Sequence, residues 1–378
     1  MVGPGASEYF KDGVPAPIPD GFYSTEFYAN KLIEFIDAKP DDGKPFFAFL
    51  AFTAPHWPLQ APPASILKQL GRYNSGYEEL YTSRLERLRH LGLVTPELAQ
   101  LAKKNFNPEW DSLSEQEQRT EARKMEIYAA MVADIDVSVG KVLDAIAQAG
   151  MQDDTVIIFL SDNGPEGNTI DNGWEELSQW ISVCCDNSYE NMGSGDSYLW
   201  QGPNWASAVA GPVGRYKGWT HEGGIRVPGF VYFPGAKVKG RVDETLLSVM
   251  DIYPTVLEMA GIEHPGTEYQ GRSIAALQGK SWIASLAGDR DSAERLDQRV
   301  FAWELFGKRA VRQGYWKLIS YPPPHGNGEW QLYQLNVDPL ENKDLAGDYP
   351  RIVTKLELLW ENYSQENGVV LPDGPIAY

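Results

Sequence analysis

Apolar and polar residues follow one another along this chain in blocks that predict helices followed by buried strands. Residues 23–36 place apolar side chains at helical spacing, and Lys39-Pro40 ends that helix. The almost unbroken apolar run Phe46–Phe52 then predicts a strand buried on both faces of a sheet. A long amphipathic helix ending near Gly150 precedes a second apolar run, Thr155–Leu160, with the same interpretation. Helices followed by buried strands are typical of an α/β fold with a mixed, largely parallel sheet flanked by helices.

The pattern changes after residue 297 to short apolar segments separated by turns. The predicted elements are strands at Val300–Leu305, Arg309–Ile319 and Trp330–Leu335 and a final helix at Arg351–Asn362. Consecutive short strands with short connections favour an antiparallel sheet with one helix packed on it. The sequence therefore predicts a large α/β domain at residues 1–297 and a small antiparallel α+β subdomain at residues 298–378.

Composition and charge exclude several classes of partner. The 52 acidic and 33 basic residues give a formal net charge of −19 at pH 7, which repels nucleic acids and anionic membrane surfaces. No apolar run reaches the roughly 18 residues of a membrane span, and the first residues lack the features of a signal peptide. We expect no nucleic-acid or membrane partner. The chain taken alone indicates a cytoplasmic location, and the compartment and oligomeric state of an intact protein stay open.

Cysteine and tryptophan give weaker signals. The two cysteines, Cys184 and Cys185, are adjacent and cannot form a disulfide framework for a chain of this length, so we expect free, buried thiols. The tryptophans Trp200, Trp205 and Trp219 are candidates for an aromatic substrate pocket, but large core residues have the same signature.

The first candidate site is Ser161-Asp162-Asn163-Gly164, directly after the apolar run Thr155–Leu160. Ligands of open α/β sheets bind at the carboxyl ends of strands. Asp162 and Asn163 offer two adjacent hard oxygen ligands, which suit Ca²⁺ or Mg²⁺. The same Asn-Gly pair also suits a hairpin turn.

Two further segments carry candidate chemistry. His56 lies in a proline-flanked loop after the first apolar run, where it can act as a general acid or bind an anion. The alternative is a loop histidine whose hydrogen bonds are made with the backbone. Lys217 belongs to a segment that continues to Gly223-Gly224 and Arg226, where cations and close backbone approach suit an anionic ligand. A solvated surface lysine is the alternative for Lys217.

Taken in order, these segments resemble the arylsulfatases of the alkaline-phosphatase superfamily, in particular bacterial-type enzymes acting on simple aryl sulfates. The resemblance covers residues 21–372. The stretches that carry it are Phe46–Leu59, Tyr128–Asp136, Val156–Gly164, Lys217–Pro228, Met250–Leu257, Ala310–Lys317 and Gln331–Leu335. It implies the fold of that superfamily, with residues 1–297 as the catalytic domain, and hydrolysis of a small-molecule sulfate ester.

The resemblance also implies roles for particular residues. Asp162 and Asn163 match two ligands of one Ca²⁺ ion, His56 matches the histidine near the leaving-group oxygen, and Lys217 matches the lysine that contacts the sulfate. Cations and a Lewis acid would neutralise the sulfate ester within this acidic chain. A nearby histidine would protonate the departing oxygen.

The chain departs from the family at the nucleophile. The family uses a formylglycine made from Cys or Ser in a Cys/Ser-x-Pro-x-Arg motif, preceded by two metal-binding aspartates, and no such motif occurs in these 378 residues. We therefore expect a chain that lacks the N-terminal segment of a sulfatase, has an incomplete Ca²⁺ site and is inactive alone. The alternatives are a non-catalytic sulfatase-like binding or regulatory protein and a metal-dependent phosphodiesterase or phosphatase of the same superfamily.

Overall fold

The chain folds into two compact units in a computed structural model. The described residues are 8–38, 43–102, 104–169, 175–236, 240–372 and 374. The first unit holds the described residues up to 154 and those from 164 to 218, and the second holds residues 155–163 and the described residues from 219 onward. The boundary expected at residue 297 falls inside the second unit, and the division into catalytic domain and subdomain stays a prediction.

The first unit is mainly helical and opens on a short hairpin, β1 (Tyr9–Lys11) paired antiparallel with β2 (Val14–Ala16). Its helices are α1 (Ser24–Asp37), α2 (Pro63–Leu67), α3 (Gly76–His90), α4 (Pro96–Leu101), α5 (Glu115–Gln148), α6 (Glu175–Cys184) and α7 (Pro203–Ala210), with 3₁₀ turns at Trp110–Ser112 and Gln152–Asp154. The unit is organised around α5, on which α1 and α2 pack.

Local sequence explains where α5 begins and ends. The Ser114 hydroxyl accepts from the Glu117 amide, and the Glu117 carboxylate accepts from the Ser114 amide, which together form a capping box. Gly150 adopts φ +71° just beyond the last turn, the left-handed conformation expected of it. Buried Val142 and Ile146 of α5 meet Ala29 of α1 in one of the clusters that anchor the unit.

The segment Phe46–Phe52 does not form the buried strand that we predicted. Among the described residues no strand pairs with it, and the side chains of Phe47 and Phe49 are 75% and 84% exposed. Only Leu50 packs against the cluster between α1 and α5. An apolar run becomes a central strand only when neighbouring strands satisfy its backbone and cover both faces.

The second unit contains the remaining sheet structure. Its strands are β3 (Ile157–Leu160), β4 (Gly229–Tyr232), β5 (Glu268–Tyr269), β6 (Arg272–Ser273), β7 (Val300–Leu305), β8 (Lys308–Gln313), β9 (Trp316–Ser320) and β10 (Trp330–Gln334). Its helices are α8 (Glu222–Ile225), α9 (Ile252–Met259), α10 (Ile283–Leu286), α11 (Arg290–Asp297) and α12 (Pro350–Glu366), with a 3₁₀ turn at Val249–Asp251. No helix of the described ranges is long and apolar enough to cross a lipid bilayer.

The C-terminal antiparallel sheet is confirmed. Its strands lie in the order β10-β9-β8-β7, and every pairing is antiparallel. The predicted strand Arg309–Ile319 is two strands, because Gly314 takes φ +59° and turns the chain between β8 and β9. Helix α12 covers the sheet, and its buried Leu356 and Trp360 pack on Val311 and Leu332.

Strand β3 ends at Leu160, so Asp162 and Asn163 follow a strand as predicted. The pairing of β3 is different from the parallel one expected, because it runs antiparallel to β4 with Ile157 opposite Tyr232. In the part of the chain that the structure describes, every strand pairing is antiparallel. The mixture of helices and strands with an antiparallel C-terminal sheet is nevertheless the predicted fold class.

Candidate active site

His56 is held in a defined orientation at the surface of the first unit. Its backbone amide donates to the Thr53 carbonyl at 3.1 Å, and its ring Nδ1 lies 2.8 Å from the Trp57 carbonyl. A carbonyl can only accept, so this contact assigns the proton to Nδ1 and leaves Nε2 of the neutral ring as an acceptor. The loop is fixed further along, where the Leu59 amide donates to the Leu199 carbonyl at 3.0 Å.

Lys217 reaches His56 across 161 residues of sequence. The Lys217 Nζ lies 3.1 Å from the His56 Nε2, within hydrogen-bonding distance. The Lys217 amide donates to the Pro165 carbonyl at 3.0 Å, which holds the start of this segment against the chain that follows Asn163. The structure thus brings together the two residues predicted to contact the sulfate ester.

A carboxylate that sequence reasoning missed completes this group. Glu166 Oε2 lies 3.3 Å from Lys217 Nζ, and the side chain of Glu166 is only 10% exposed. Its other oxygen, Oε1, accepts from the Asn168 amide at 2.9 Å. The nearest signal in the sequence was its place just after Asn163-Gly164, but only the tertiary fold pairs it with Lys217.

The trio can bind an anion and move a proton. The ammonium of Lys217 offers a charge-assisted hydrogen bond to a sulfate oxygen, the strongest kind that a side chain supplies. When protonated, His56 presents Nε2–H while its Nδ1 stays bonded to the backbone, so the ring can deliver a proton without turning. Glu166 balances part of this positive charge in the absence of an anion.

Asp162 and Asn163 belong to the second unit. The Asn163 amide donates to Asp162 Oδ1 at 3.0 Å, and the Ser161 hydroxyl donates to the Asn163 carbonyl at 3.0 Å. Both contacts are those of a turn that follows a strand. That these residues share a crevice with His56 and Lys217 stays a prediction.

The residues present do not fit a complete calcium site. Ca²⁺ takes six to eight oxygen ligands, and Asp162 and Asn163 offer two side chains. No group of three or more His, Cys, Asp or Glu side chains suited to a metal occurs within the described ranges. Asp162 and Asn163 would therefore hold a divalent cation only together with further oxygen ligands.

A second cluster of charges is buried in the second unit. Lys317, with a fully buried side chain, lies 2.9 Å from Glu222 and 2.8 Å from Glu341. The Glu222 amide also donates to Glu341 Oε2 at 2.7 Å, which ties the first turn of α8 to the segment after β10. These contacts fix the Gly223-Gly224 segment, which we predicted as a ligand-binding candidate.

The pKa values of the two carboxyl groups in this cluster are shifted in opposite directions. Burial favours the neutral form of Glu222, but Lys317, Arg312 and Arg226 outweigh it and hold the pKa of Glu222 below its usual value. Burial and the Glu222 charge raise the pKa of Glu341, although Lys317 opposes the shift. Of the two carboxyl groups, Glu222 is therefore the one that Lys317 and its neighbouring arginines keep ionised. A buried ion pair of this kind indicates a structural role for the cluster.

The predicted aromatic and cysteine features have different outcomes. Trp205 is fully buried in a core cluster, so it is a core residue and not part of an aromatic substrate pocket. The Trp200 ring packs against that of Trp57, which follows His56. The expectation of free, buried thiols is wrong, because Cys184 and Cys185 are joined in a disulfide. Cys184 is the last residue of α6 and is exposed, so the disulfide lies at the surface.

Comparison with known families identifies the chain. The family model named Sulfatase matches residues 1–262, and the model described as N-sulphoglucosamine sulphohydrolase, C-terminal, matches residues 214–365. An uncharacterised sulfatase of Schizosaccharomyces pombe is 39% identical over 359 residues, covering 94% of this chain and 64% of that protein. The arylsulfatase of Klebsiella aerogenes is 37% identical over 277 residues, covering 73% of this chain and 59% of that enzyme. The chain spans less than two thirds of the length of either relative.

A solved structure supports the fold. BT4656, determined in complex with its substrate D-glucosamine-2-N,6-O-disulfate, matches with a TM-score of 0.53 at 19% identity, covering 95% of this chain and 72% of that one. At this identity the similarity establishes the fold alone, and the alkaline-phosphatase-like fold that the resemblance implied is confirmed. Because the sulfatase model spans more than half of its residues, the chain belongs to the sulfatase family.

Proposed function

We propose that this chain supplies the sulfate-binding and proton-donating residues of a sulfatase that hydrolyses sulfate esters of small molecules. The observation that carries the proposal is the 3.1 Å contact between Lys217 Nζ and His56 Nε2. Membership of the sulfatase family supports it, as does the arylsulfatase of Klebsiella aerogenes among the relatives. An aryl sulfate is the substrate class that we favour.

In the proposed reaction, the Lys217 ammonium binds a non-bridging sulfate oxygen. A nucleophile that the present sequence does not contain attacks sulfur, and the bond between sulfur and the ester oxygen breaks. Its electron pair goes to the ester oxygen, which takes the proton from His56 Nε2 and leaves as the alcohol or phenol. The Trp57 carbonyl keeps the imidazole ring aligned throughout, since Nδ1 stays bonded to it.

Two side chains of this chain are candidate ligands of a calcium ion. Asp162 and Asn163 would contribute two oxygen ligands to one divalent cation, which needs further oxygen ligands to complete its coordination. The chain alone would hold such an ion weakly. Without the Cys/Ser-x-Pro-x-Arg motif it would also turn over no sulfate ester by the family's covalent route.

Binding of phenyl sulfate to the purified chain tests the anion site. Isothermal titration calorimetry should show that Lys217→Ala weakens the affinity about tenfold or more, because a hydrogen bond from a charged donor is lost. Lys343→Ala, which removes an exposed lysine remote in sequence from the site, is the matched control and should leave the affinity unchanged. Equal affinities for the Lys217→Ala variant and the unaltered chain would refute the proposal.

The absence of the nucleophile motif also favours a second candidate, a sulfatase-like protein that binds sulfate esters without hydrolysing them. Both candidates predict Lys217-dependent binding. The two candidates are distinguished by joining the chain to a preceding segment that carries the matured nucleophile. Only the first candidate then predicts hydrolysis of the sulfate ester.

A further inference from the structure

An aromatic wall lies beside His56 in the first unit. It consists of Trp57, Trp180, Tyr198 and Trp200. The Trp57 ring centroid is 5.0 Å from that of Trp200 and 5.8 Å from that of Tyr198. The Trp180 ring meets Tyr198 edge-on at 5.4 Å. These are the spacings of favourable aromatic contacts, so the rings support one another.

The wall has a buried base and a partly exposed edge. Tyr198 and Trp200 are buried in a cluster with Leu177 and Ile181 of α6, so these two rings are core residues. Trp57 and Trp180 are only half-buried. A partly exposed indole on a base of buried rings offers a rigid apolar surface to a ligand.

The position of His56 relates this wall to the anion site. The His56 ring lies 4.8 Å from the Trp57 ring, centroid to centroid, and its Nε2 lies 3.1 Å from Lys217 Nζ. The imidazole thus contacts the ammonium at its Nε2 and neighbours the indole. An aryl sulfate has the same order of parts: an anionic sulfate, an ester oxygen and an aromatic ring.

We propose that Trp57 is a specificity-determining residue that stacks on the aromatic ring of an aryl sulfate whose sulfate group is bound by Lys217 and whose ester oxygen faces His56. This inference rests on the proposed function, because it places the sulfate at Lys217. It goes beyond that function by naming the residue that selects an aromatic leaving group. Pockets that combine one apolar surface with a few placed polar groups are the usual design of small-molecule sites.

The test compares sulfate esters that differ only in the ring. Phenyl sulfate and cyclohexyl sulfate carry the same charge and rings of similar size, and glucose 6-sulfate carries a sugar ring. Calorimetric titration of the purified chain should give phenyl sulfate an affinity about two- to tenfold higher than that of cyclohexyl sulfate, as expected for one aromatic contact.

Substitutions at Trp57 assign the preference. Trp57→Leu should make the two affinities equal, whereas Trp57→Phe, which keeps an aromatic ring, should retain the preference. Trp303→Leu removes a half-buried tryptophan from β7 and serves as the matched control, with the preference unchanged. If Trp57→Leu fails to fold, nuclear Overhauser contacts between the phenyl protons and the Trp57 indole of the unaltered chain take its place.

The outcomes separate this inference from the function on which it rests. Equal affinities for phenyl and cyclohexyl sulfate, both lost in Lys217→Ala, would overturn the role of Trp57 and leave the proposed function standing. A preference for glucose 6-sulfate that depends on Trp57 would overturn the aryl specificity in favour of a sugar. Binding of neither ester, or binding independent of Lys217, would refute both proposals.

Discussion

At the scale of single residues, Lys317 is a fully buried cation of the second unit. Its ammonium contacts both Glu222 and Glu341, whose side chains are themselves almost wholly buried. A buried ion pair adds little over a well-packed apolar pair, but removing one partner leaves an uncompensated charge. The stability of this unit is therefore sensitive to Lys317.

We predict that Lys317→Met lowers the free energy of unfolding by about 3 to 5 kcal/mol, because Glu222 and Glu341 both lose the buried cation that they contact. Lys343→Met, at an exposed position, should change it by less than about 0.5 kcal/mol. Urea denaturation followed by circular dichroism measures both values. Similar unfolding midpoints for the two variants would show that the buried cluster is not held by Lys317.

Lys104 makes stability depend on alkaline pH. Its Nζ donates to the Ser207 carbonyl at 2.6 Å and the Val213 carbonyl at 3.0 Å, while burial and the nearby Arg215 lower its pKa to about 8. Between this value and the usual 10.5 the unfolded chain binds more protons than the folded chain. Folding stability due to Lys104 therefore rises with pH in this window and is lost as pH falls through about 8.

From pH 7.5 to pH 9.5, the free energy of unfolding of the unaltered chain should rise relative to that of Lys104→Met by about 2 kcal/mol at most. Urea denaturation of both proteins at the two pH values measures this difference. A constant offset between them across the range would contradict the lowered pKa.

Sequence reasoning reached His56 and Lys217 through the family resemblance, since the local pattern of each residue also suits a structural role, and the fold places the two side chains in contact. It could not reach Glu166 or Trp57. A glutamate in a loop and a tryptophan beside a histidine have many common structural roles, and only distances across the chain distinguish them. The disulfide between Cys184 and Cys185 was missed for a similar reason, because spacing alone does not fix the state of adjacent thiols.

At the scale of elements, local signals worked where an element is stabilised by its own neighbours in sequence. The start of α5, its end before Gly150 and the hairpin between β7 and β8 follow from capping and turn residues, whereas the turn at Gly314 was missed. The segment Phe46–Phe52 failed because a buried strand needs partners that lie elsewhere in the sequence. Its exposed phenylalanines are an aggregation hazard, since they form an apolar surface that another molecule can cover.

We predict that replacing Phe47 and Phe49 together by serine lowers the rate of aggregation several-fold and leaves the melting temperature unchanged. Leu50→Ser is the contrasting variant. It should lower stability by about 0.5 to 3 kcal/mol, because Leu50 is partly buried and packs against the cluster that joins α1 and α5. Static light scattering and thermal unfolding measure the two effects. An unchanged aggregation rate in the double variant would show that Phe47 and Phe49 do not cause the aggregation.

At the scale of the whole molecule, the chain has the family and fold of a sulfatase and spans less than two thirds of the length of its relatives from Schizosaccharomyces pombe and Klebsiella aerogenes. Its own residues place Lys217 in contact with an oriented histidine, His56, and its sequence lacks the motif that the family converts to a nucleophile. The central claim is that His56 and Lys217 serve a covalent reaction whose nucleophile these residues do not include.

Release of 4-nitrophenol from 4-nitrophenyl sulfate tests this claim most directly. The purified chain alone, with millimolar Ca²⁺, should release none above background. The same chain preceded by a segment carrying a Cys/Ser-x-Pro-x-Arg motif, matured to formylglycine, should turn the ester over, and His56→Ala should slow that turnover roughly 10²-fold or more, as expected for a lost general acid. Turnover by the chain alone that disappears in Asp162→Ala, or full activity of the His56→Ala variant in the matured protein, would contradict the account.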